Sequence, residues 1–380
     1  MPGVLEKFSK WVGSGSFTAR DLGIYRIIYS ALALCMIPNF EWVSQYPDSL
    51  FAPPPGPFRL LHGFPSATAM VTLELLLVVA LTLLLVGLFT RTVSIVSAVL
   101  AILGYGFSYS LGKIDHTILF LLVPVVMVAV DWGSAVSLDS RRRSRGASSR
   151  VRQWPLRYLG LLIGLAFMTA AVPKLLTGWL SPASQATQAH FYRQFYVNGR
   201  TDWFASAFLR IDFPLGWEVL DWATVALEAG ILFAVVTWRS LRVVLAVACL
   251  FHLGVLLMMN ISFYFDVIAY AAFVPWGRVR SLAALVERRW QRWVPWAAMP
   301  LIAVGAFGVR ASGLEAENYV GPAVVIVAAV VAVWYLSRTA LDIVTSRRRA
   351  VSPPSIVGEV AGSELLQTTA VGPDPRSSEG

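Results

Sequence analysis

The chain has 380 residues, of which 57% are hydrophobic and 14% are charged. Soluble domains carry about a quarter charged residues, so this chain has too little polar surface to fold as two or three soluble domains. Its formal net charge of +9 would suit nucleic acid, but most Lys and Arg residues lie in short segments between long apolar runs. The sequence therefore predicts an integral membrane protein whose partner is the lipid bilayer, and it argues against a nucleic-acid partner.

Ten apolar runs are long enough to cross about 30 Å of hydrocarbon. They lie near residues 22–39, 70–89, 93–110, 117–132, 156–173, 217–237, 241–261, 264–276, 295–311 and 320–337. The sequence leaves open whether the seventh and eighth runs are separate crossings. With a cytoplasmic N-terminus, the inner segments hold 23 Lys and Arg residues and the outer segments hold six, as the positive-inside rule requires. The prediction is an all-α, multi-pass transmembrane helix bundle of about ten spans in the plasma membrane, with both termini cytoplasmic.

Four regions follow from this pattern. Residues 1–21 form a cytoplasmic leader in which residues 4–12 place apolar side chains on one face of a short interfacial helix. Residues 22–280 form the transmembrane core, and residues 281–337 add two spans with a basic linker. Residues 338–380 lack aromatic side chains after the last span and are rich in Ser, Pro, Gly and Glu, which predicts a disordered cytoplasmic tail.

Ionisable side chains inside predicted spans are costly, so each requires a reason. Arg26 lies one turn into the first span and can snorkel towards the cytoplasm. Asp221 and Glu228 are seven residues apart and share a helix face, which suits hydrogen bonding between helices as well as a functional role. His252 lies deep in the seventh span, where a neutral imidazole must hydrogen-bond another helix or a ligand.

A second group of polar residues lies on the predicted outer side. Asp115 and His116 belong to the hairpin between the third and fourth spans, and Lys174 and Trp179 follow the fifth span. Pro173 is predicted to stop the helix just before Lys174. The topology allows His116 and Lys174 to meet, although a snorkelling lysine and a solvated loop histidine would give the same pattern. The outer segment 174–216 is rich in aromatic residues and is expected to cap the bundle.

The motifs of soluble enzymes are missing from the sequence. We find no phosphate-binding glycine loop, no HExxH, no GxSxG and no paired CxxC. The four histidines are widely spread, so no metal site is predicted.

Three stretches and Arg26 together resemble the horizontally transferred transmembrane domain (HTTM) family, the membrane core shared with vitamin K-dependent gamma-carboxylases. The stretches are the Gly-x-x-Asp-His hairpin of residues 112–116, Ala-x-Val-x-Lys-Leu-x-x-x-Trp of residues 170–179, and Phe-His-Leu of residues 251–253. The resemblance covers roughly residues 18–280. It implies that Lys174 is the base that deprotonates a hydroquinone, that His116 assists it, and that Asp115, His252 and Trp179 bind the substrate.

The chemistry implied by this resemblance is oxygen-dependent oxidation of a lipid quinol, with a quinone as the candidate cofactor. An amine beside an apolar pocket loses solvation and becomes a usable base, and a membrane bundle suits a lipid substrate. Protein glutamate carboxylation is not expected, because the carboxylases carry a large extracytoplasmic domain that is not recognisable here. In addition, this chain has Ile114-Asp115-His116 where the carboxylases have Asn-Asn-His, and it has Pro173 where they have a second lysine.

Two functions from different classes are compatible with the sequence. The first is a quinol oxidase or epoxidase-like enzyme that uses Lys174. The second is a non-catalytic membrane partner in the maturation, immunity or export of a small secreted peptide. The chain also resembles a related bacterial branch of membrane proteins that help mature secreted peptide toxins.

Overall fold

A computed structural model of the chain describes residues 2–112, 114–141, 150–279 and 317–351, together with residues 284, 305 and 308. Within these residues the structure is helical, and an isolated antiparallel bridge between Thr18 and Arg150 is the only pairing of the β type. The predicted all-α fold is confirmed for this part of the chain. In chain order the α-helices are α1 (Pro2–Gly13), α2 (Ala19–Cys35), α3 (Ala67–Val86), α4 (Thr90–Tyr109), α5 (Thr117–Val130), α6 (Leu138–Arg141), α7 (Trp154–Leu176), α8 (Ala186–Tyr192), α9 (Ala205–Phe208), α10 (Pro214–Ala234), α11 (Trp238–Met259), α12 (Tyr264–Tyr270) and α13 (Glu317–Val351).

Five of the described helices are long and apolar enough to cross a membrane: α3, α4, α7, α11 and residues 317–346 of α13. The helices at two further predicted spans do not meet this standard, because α2 has 17 residues and α10 carries three carboxylates. At the fourth and eighth predicted spans the apolar helices are shorter, at Thr117–Val130 and Tyr264–Phe273. The ninth predicted span, residues 295–311, lies outside the described residues except for 305 and 308. The count of ten spans and the cytoplasmic termini stay predictions.

Arg26 ties three parts of the fold together. Its side chain is completely buried, so it does not snorkel to solvent. The guanidinium donates to the carbonyls of Leu84, Leu85 and Val136, which places its charge at the C-terminal end of α3. The last carbonyls of a helix have no intrahelical partners, and this end of a helix favours positive charge. Arg26 therefore supplies both a hydrogen-bond donor and a positive charge at the end of α3.

The N-terminal helix α1 is amphipathic, as predicted, and the structure shows what holds it. Val4, Leu5 and Phe8 are 60–72% exposed. Near the other end of the helix, the Arg157 guanidinium lies 4.5 Å from the Trp11 ring and 4.3 Å from the Trp238 ring. Its Nε also donates to the Trp11 carbonyl at 3.0 Å. The helix is therefore fixed at one end and presents an exposed apolar face.

The segment between α7 and α10, which the sequence predicts to lie on the outer side, packs against the ends of α10 and α11. A buried cluster joins Phe191 and Ala205 of this segment to Trp217 of α10 and to Met258 and Met259 of α11. The Phe191 and Trp217 rings are stacked with centroids 5.8 Å apart. The aromatic residues of this segment thus cover the ends of two helices, in keeping with the predicted cap.

The last helix continues into the segment that the sequence assigns to a disordered tail. The chain divides into two compact units, residues 1–334 and residues 335–380, and the described part of the second unit is the end of α13. No glycine or proline interrupts the chain between Pro322 and Pro353, so local propensity lets the helix run on to Val351. Residues 352–380 of the predicted tail lie outside the described residues.

Candidate functional site

Lys174 lies in the last turn of α7, which runs from Trp154 to Leu176. The prediction that Pro173 stops this helix is wrong, because three more residues follow it in helical form and the Thr177 N–H donates to the Pro173 carbonyl at 2.9 Å. A proline removes its own N–H from the ladder, and the residues after it can still close the final turn. Lys174 is therefore held by a helix rather than by a loop.

The ammonium of Lys174 forms an ion pair with Oε1 of Glu228 on α10. The side chains of Lys174 and Glu228 are 20% and 9% exposed, respectively. The lysine nitrogen also lies 5.2 Å from the centre of the Trp179 ring. A turn at Gly178, whose φ is +76°, brings Trp179 back towards the helix, and the backbone N–H of Trp179 donates to the Lys174 carbonyl at 3.2 Å. Carboxylate and aromatic face both stabilise the positive charge.

The packing of α7 against α10 brings Lys174 and Glu228 together. Gly164 of α7 lies so close to α10 that a Cβ there would be 2.7 Å from the Cα of Leu232. Glu228 lies one turn before Leu232, on the side towards Lys174. The preceding part of α10, from Pro214 to Glu228, spans roughly 21 Å at 1.5 Å per residue. It carries Asp221, which is completely buried.

Asp221 holds the outer segment and does not face Lys174. Its two oxygens accept the N–H groups of Ala186 at 3.0 Å and Thr187 at 2.7 Å, at the start of α8. Carboxylates are favoured at helix N-termini for this reason. Asp221 and Glu228 lie on the same helix, but Asp221 accepts hydrogen bonds from the start of α8 and Glu228 forms an ion pair with Lys174.

Asp115 makes a similar local contact. Its Oδ1 accepts the N–H of Thr117 at 2.9 Å and the hydroxyl of Thr117 at 2.7 Å, and Thr117 is the first residue of α5. This oxygen therefore completes the beginning of a helix. The predicted substrate-binding role of Asp115 has no further contact to support it among the bonds that the structure gives this residue.

His116 lies beside aromatic side chains of the segment that follows α11. Its ring is 5.0 Å from the Phe263 ring and 6.2 Å from the Phe265 ring, measured between centroids. The Phe263 ring is in turn 4.9 Å from the ring of His252. Phe263 thus lies against both predicted histidines, although three predicted spans lie between them in the sequence.

His252 occupies a completely buried position and makes one hydrogen bond. Its Nε2 pairs with the Tyr270 hydroxyl at 3.1 Å and lies 3.9 Å from Oδ2 of Asp266. Its Nδ1 and the Oδ1 of Asp266 are buried without a hydrogen-bond partner among the described residues. Buried polar atoms usually have hydrogen-bond partners, so these two atoms are exceptions. Nε2 of His252 bonds a residue of α12, and the substrate-binding role of His252 stays a prediction.

The structure thus brings the predicted residues into two groups, Lys174 with Glu228 and Trp179, and His116 with His252 across Phe263. Tyr270 belongs to the second group, because its hydroxyl pairs with Nε2 of His252. Whether both groups line one cavity stays a prediction.

Sequence reasoning missed Phe263, Tyr270 and the pairing of Lys174 with Glu228. Asp266 and Tyr270 are four residues apart on α12, and this spacing on one helix face was the signal available. Among the described residues, no group of three or more His, Cys, Asp or Glu side chains is placed to hold a metal ion.

Comparison with known proteins gives one match. The HTTM domain matches residues 16–275, close to the extent of the resemblance seen in the sequence. Neither the curated proteins nor the solved structures give a match. Together with the five apolar helices, this match indicates a membrane protein, and because it covers more than half of the chain, the protein belongs to the HTTM family.

Proposed function

We propose that the protein is a membrane enzyme that acts on a quinol or another lipid-soluble substrate, with Lys174 as the base. The observation that carries this proposal is the ion pair of the half-buried Lys174 with the buried Glu228, beside Trp179. A lysine that only marks the membrane surface would extend its ammonium into water. Here the amine instead forms an ion pair with a carboxylate on a neighbouring helix.

In this proposal, Lys174 takes the hydroxyl proton of a hydroquinone and leaves its anion for reaction with oxygen. His116 assists, and Trp179 offers a flat apolar surface for a ring. Nδ1 of His252 supports a binding role, because a buried nitrogen without a partner can bond an oxygen of the substrate. The Trp179 ring would shield one side of the base from water.

The decisive experiment is Lys174→Arg in membranes supplied with menadiol and oxygen. Arginine keeps the positive charge but remains protonated, so it cannot serve as a base. We expect normal expression and insertion together with a loss of turnover of about 100-fold or more. Lys10→Arg is the matched control, since Lys10 forms an exposed ion pair with Glu6 on α1. Full activity of Lys174→Arg would eliminate Lys174 as the base.

We further propose that the chain is a multi-pass protein of the plasma membrane with ten spans and both termini cytoplasmic. The distribution of basic residues, 23 inside against six outside, supports this arrangement. Reporter domains fused after Arg145 and after Arg200 should report opposite sides of the membrane. The same side for both would refute the arrangement.

A second candidate function is a non-catalytic partner of a small secreted peptide. The outer segment favours it by exposing apolar side chains, among them Tyr196, Val197 and Phe204, which are 57–74% exposed. Quinone that co-purifies with the detergent-extracted protein would favour the enzyme. A small peptide crosslinked to this segment in cells would favour the partner.

A further inference from the structure

The pair of Lys174 and Glu228 raises a chemical problem for a base. An amine that touches a carboxylate and lies over an aromatic ring is stabilised as an ammonium, and an ammonium has no lone pair with which to accept a proton. If Lys174 is to take a proton from a substrate, its own proton must first go to an acceptor within reach. The acceptor in direct contact with its nitrogen is Glu228.

The surroundings of Glu228 suit a group that accepts this proton. The side chain is 9% exposed, and its second oxygen, Oε2, is buried without a hydrogen-bond partner among the described residues. A carboxylate that serves only as a counter-ion is normally satisfied on both oxygens, because leaving a charged oxygen unbonded in an apolar place is costly. A protonated carboxyl group carries no net charge, so an unbonded oxygen costs it less.

We propose that Lys174 and Glu228 share one proton as a dyad, in which Glu228 takes the proton and Lys174 is left as a neutral amine. In this step one N–H bond of the ammonium breaks and one O–H bond forms on Glu228. The pair has no net charge before or after the transfer, so the step does not separate charge in apolar surroundings. The amine then takes the hydroxyl proton of the substrate, and the resulting ammonium faces the substrate anion.

The proposal rests on the proposed function of Lys174, and it assigns Glu228 a positioning and proton-accepting role. The Trp179 ring lies against the pair on the lysine side, with its centre 5.2 Å from the lysine nitrogen.

The test is an infrared difference spectrum of the purified full chain in lipid nanodiscs. Wild type minus Glu228→Gln should show the C=O stretch of a protonated carboxyl group, shifted in D₂O. The same band should be lost in Lys174→Arg, because guanidinium keeps its proton and Glu228 then stays ionised. Glu6→Gln is the control, because Glu6 forms an exposed ion pair with Lys10 on α1. Its replacement should leave the band in place.

Absence of the band from wild type minus Glu228→Gln would overturn the dyad. If Glu228→Gln fails to fold, a band that persists in Lys174→Arg would overturn it equally. Turnover of menadiol adds a second measurement: Glu228→Gln should lower kcat about 100-fold with little change in KM, and Glu228→Asp should retain part of the activity. A wild-type protein without turnover would refute the proposed function, while the infrared band would still decide the dyad. A Glu228→Gln variant with wild-type kcat would refute the dyad and leave Lys174 as a base.

Discussion

Replacing Arg26 with methionine should destabilise the protein more than any surface change. Methionine fills much of the same space without the guanidinium, so the carbonyls of Leu84, Leu85 and Val136 lose a common donor. Because Arg26 is completely buried, water cannot easily reach these carbonyls to replace the lost hydrogen bonds. The change therefore isolates the polar contribution of the side chain.

The expected loss follows from these contacts. The Leu84 carbonyl also accepts from the N–H of Gly87 at 3.1 Å, so it keeps one bond. The other two carbonyls each lose a hydrogen bond to a charged donor, which costs about 1.5–3 kcal/mol, and the sum is about 3–6 kcal/mol in the free energy of unfolding. Loss of positive charge at the end of α3 acts in the same direction.

The assay is denaturation of purified protein in mixed micelles by increasing SDS, followed by tryptophan fluorescence. Arg59→Met is the control, because Arg59 is an exposed arginine of the loop before α3. Its effect should stay within about 0.5 kcal/mol. An Arg26→Met protein as stable as that control would show that the guanidinium bonds contribute nothing net, and the account of Arg26 would be wrong.

Three further substitutions test other parts of the fold. Asp221→Asn should loosen the outer segment by about 1–3 kcal/mol, because an amide offers one acceptor oxygen where the carboxylate uses two, and limited proteolysis of residues 180–210 would detect it. Gly164→Val should push α7 away from α10 and cost about 1–3 kcal/mol. Gly254→Val should cost less in the same unfolding assay, because nothing lies within 4 Å of a Cβ added at Gly254. Asp115→Ala should cost about 1 kcal/mol through the start of α5; unchanged stability with a raised KM would instead favour substrate binding.

Most helices could be predicted because their signals are local. The run predicted at 70–89 is α3 at Ala67–Val86, and the run at 241–261 is α11 at Trp238–Met259. In both cases the hydroxyl of the residue just before the helix, Ser66 or Thr237, accepts the N–H of the third helical residue. Hydropathy and such caps depend on neighbours within a few residues, so the sequence contains them directly.

The sequence by itself determined the class of protein and its family, and it indicated Lys174, His116 and His252 as candidate site residues. Only the tertiary structure decided their partners. Glu228 is 54 residues from Lys174, and it meets the lysine because Gly164 lets two helices approach closely. Phe263 reaches both histidines only because the segment after α11 folds back against the start of α5. Such contacts depend on how whole helices pack, and packing is set by the summed fit of many side chains rather than by any local pattern.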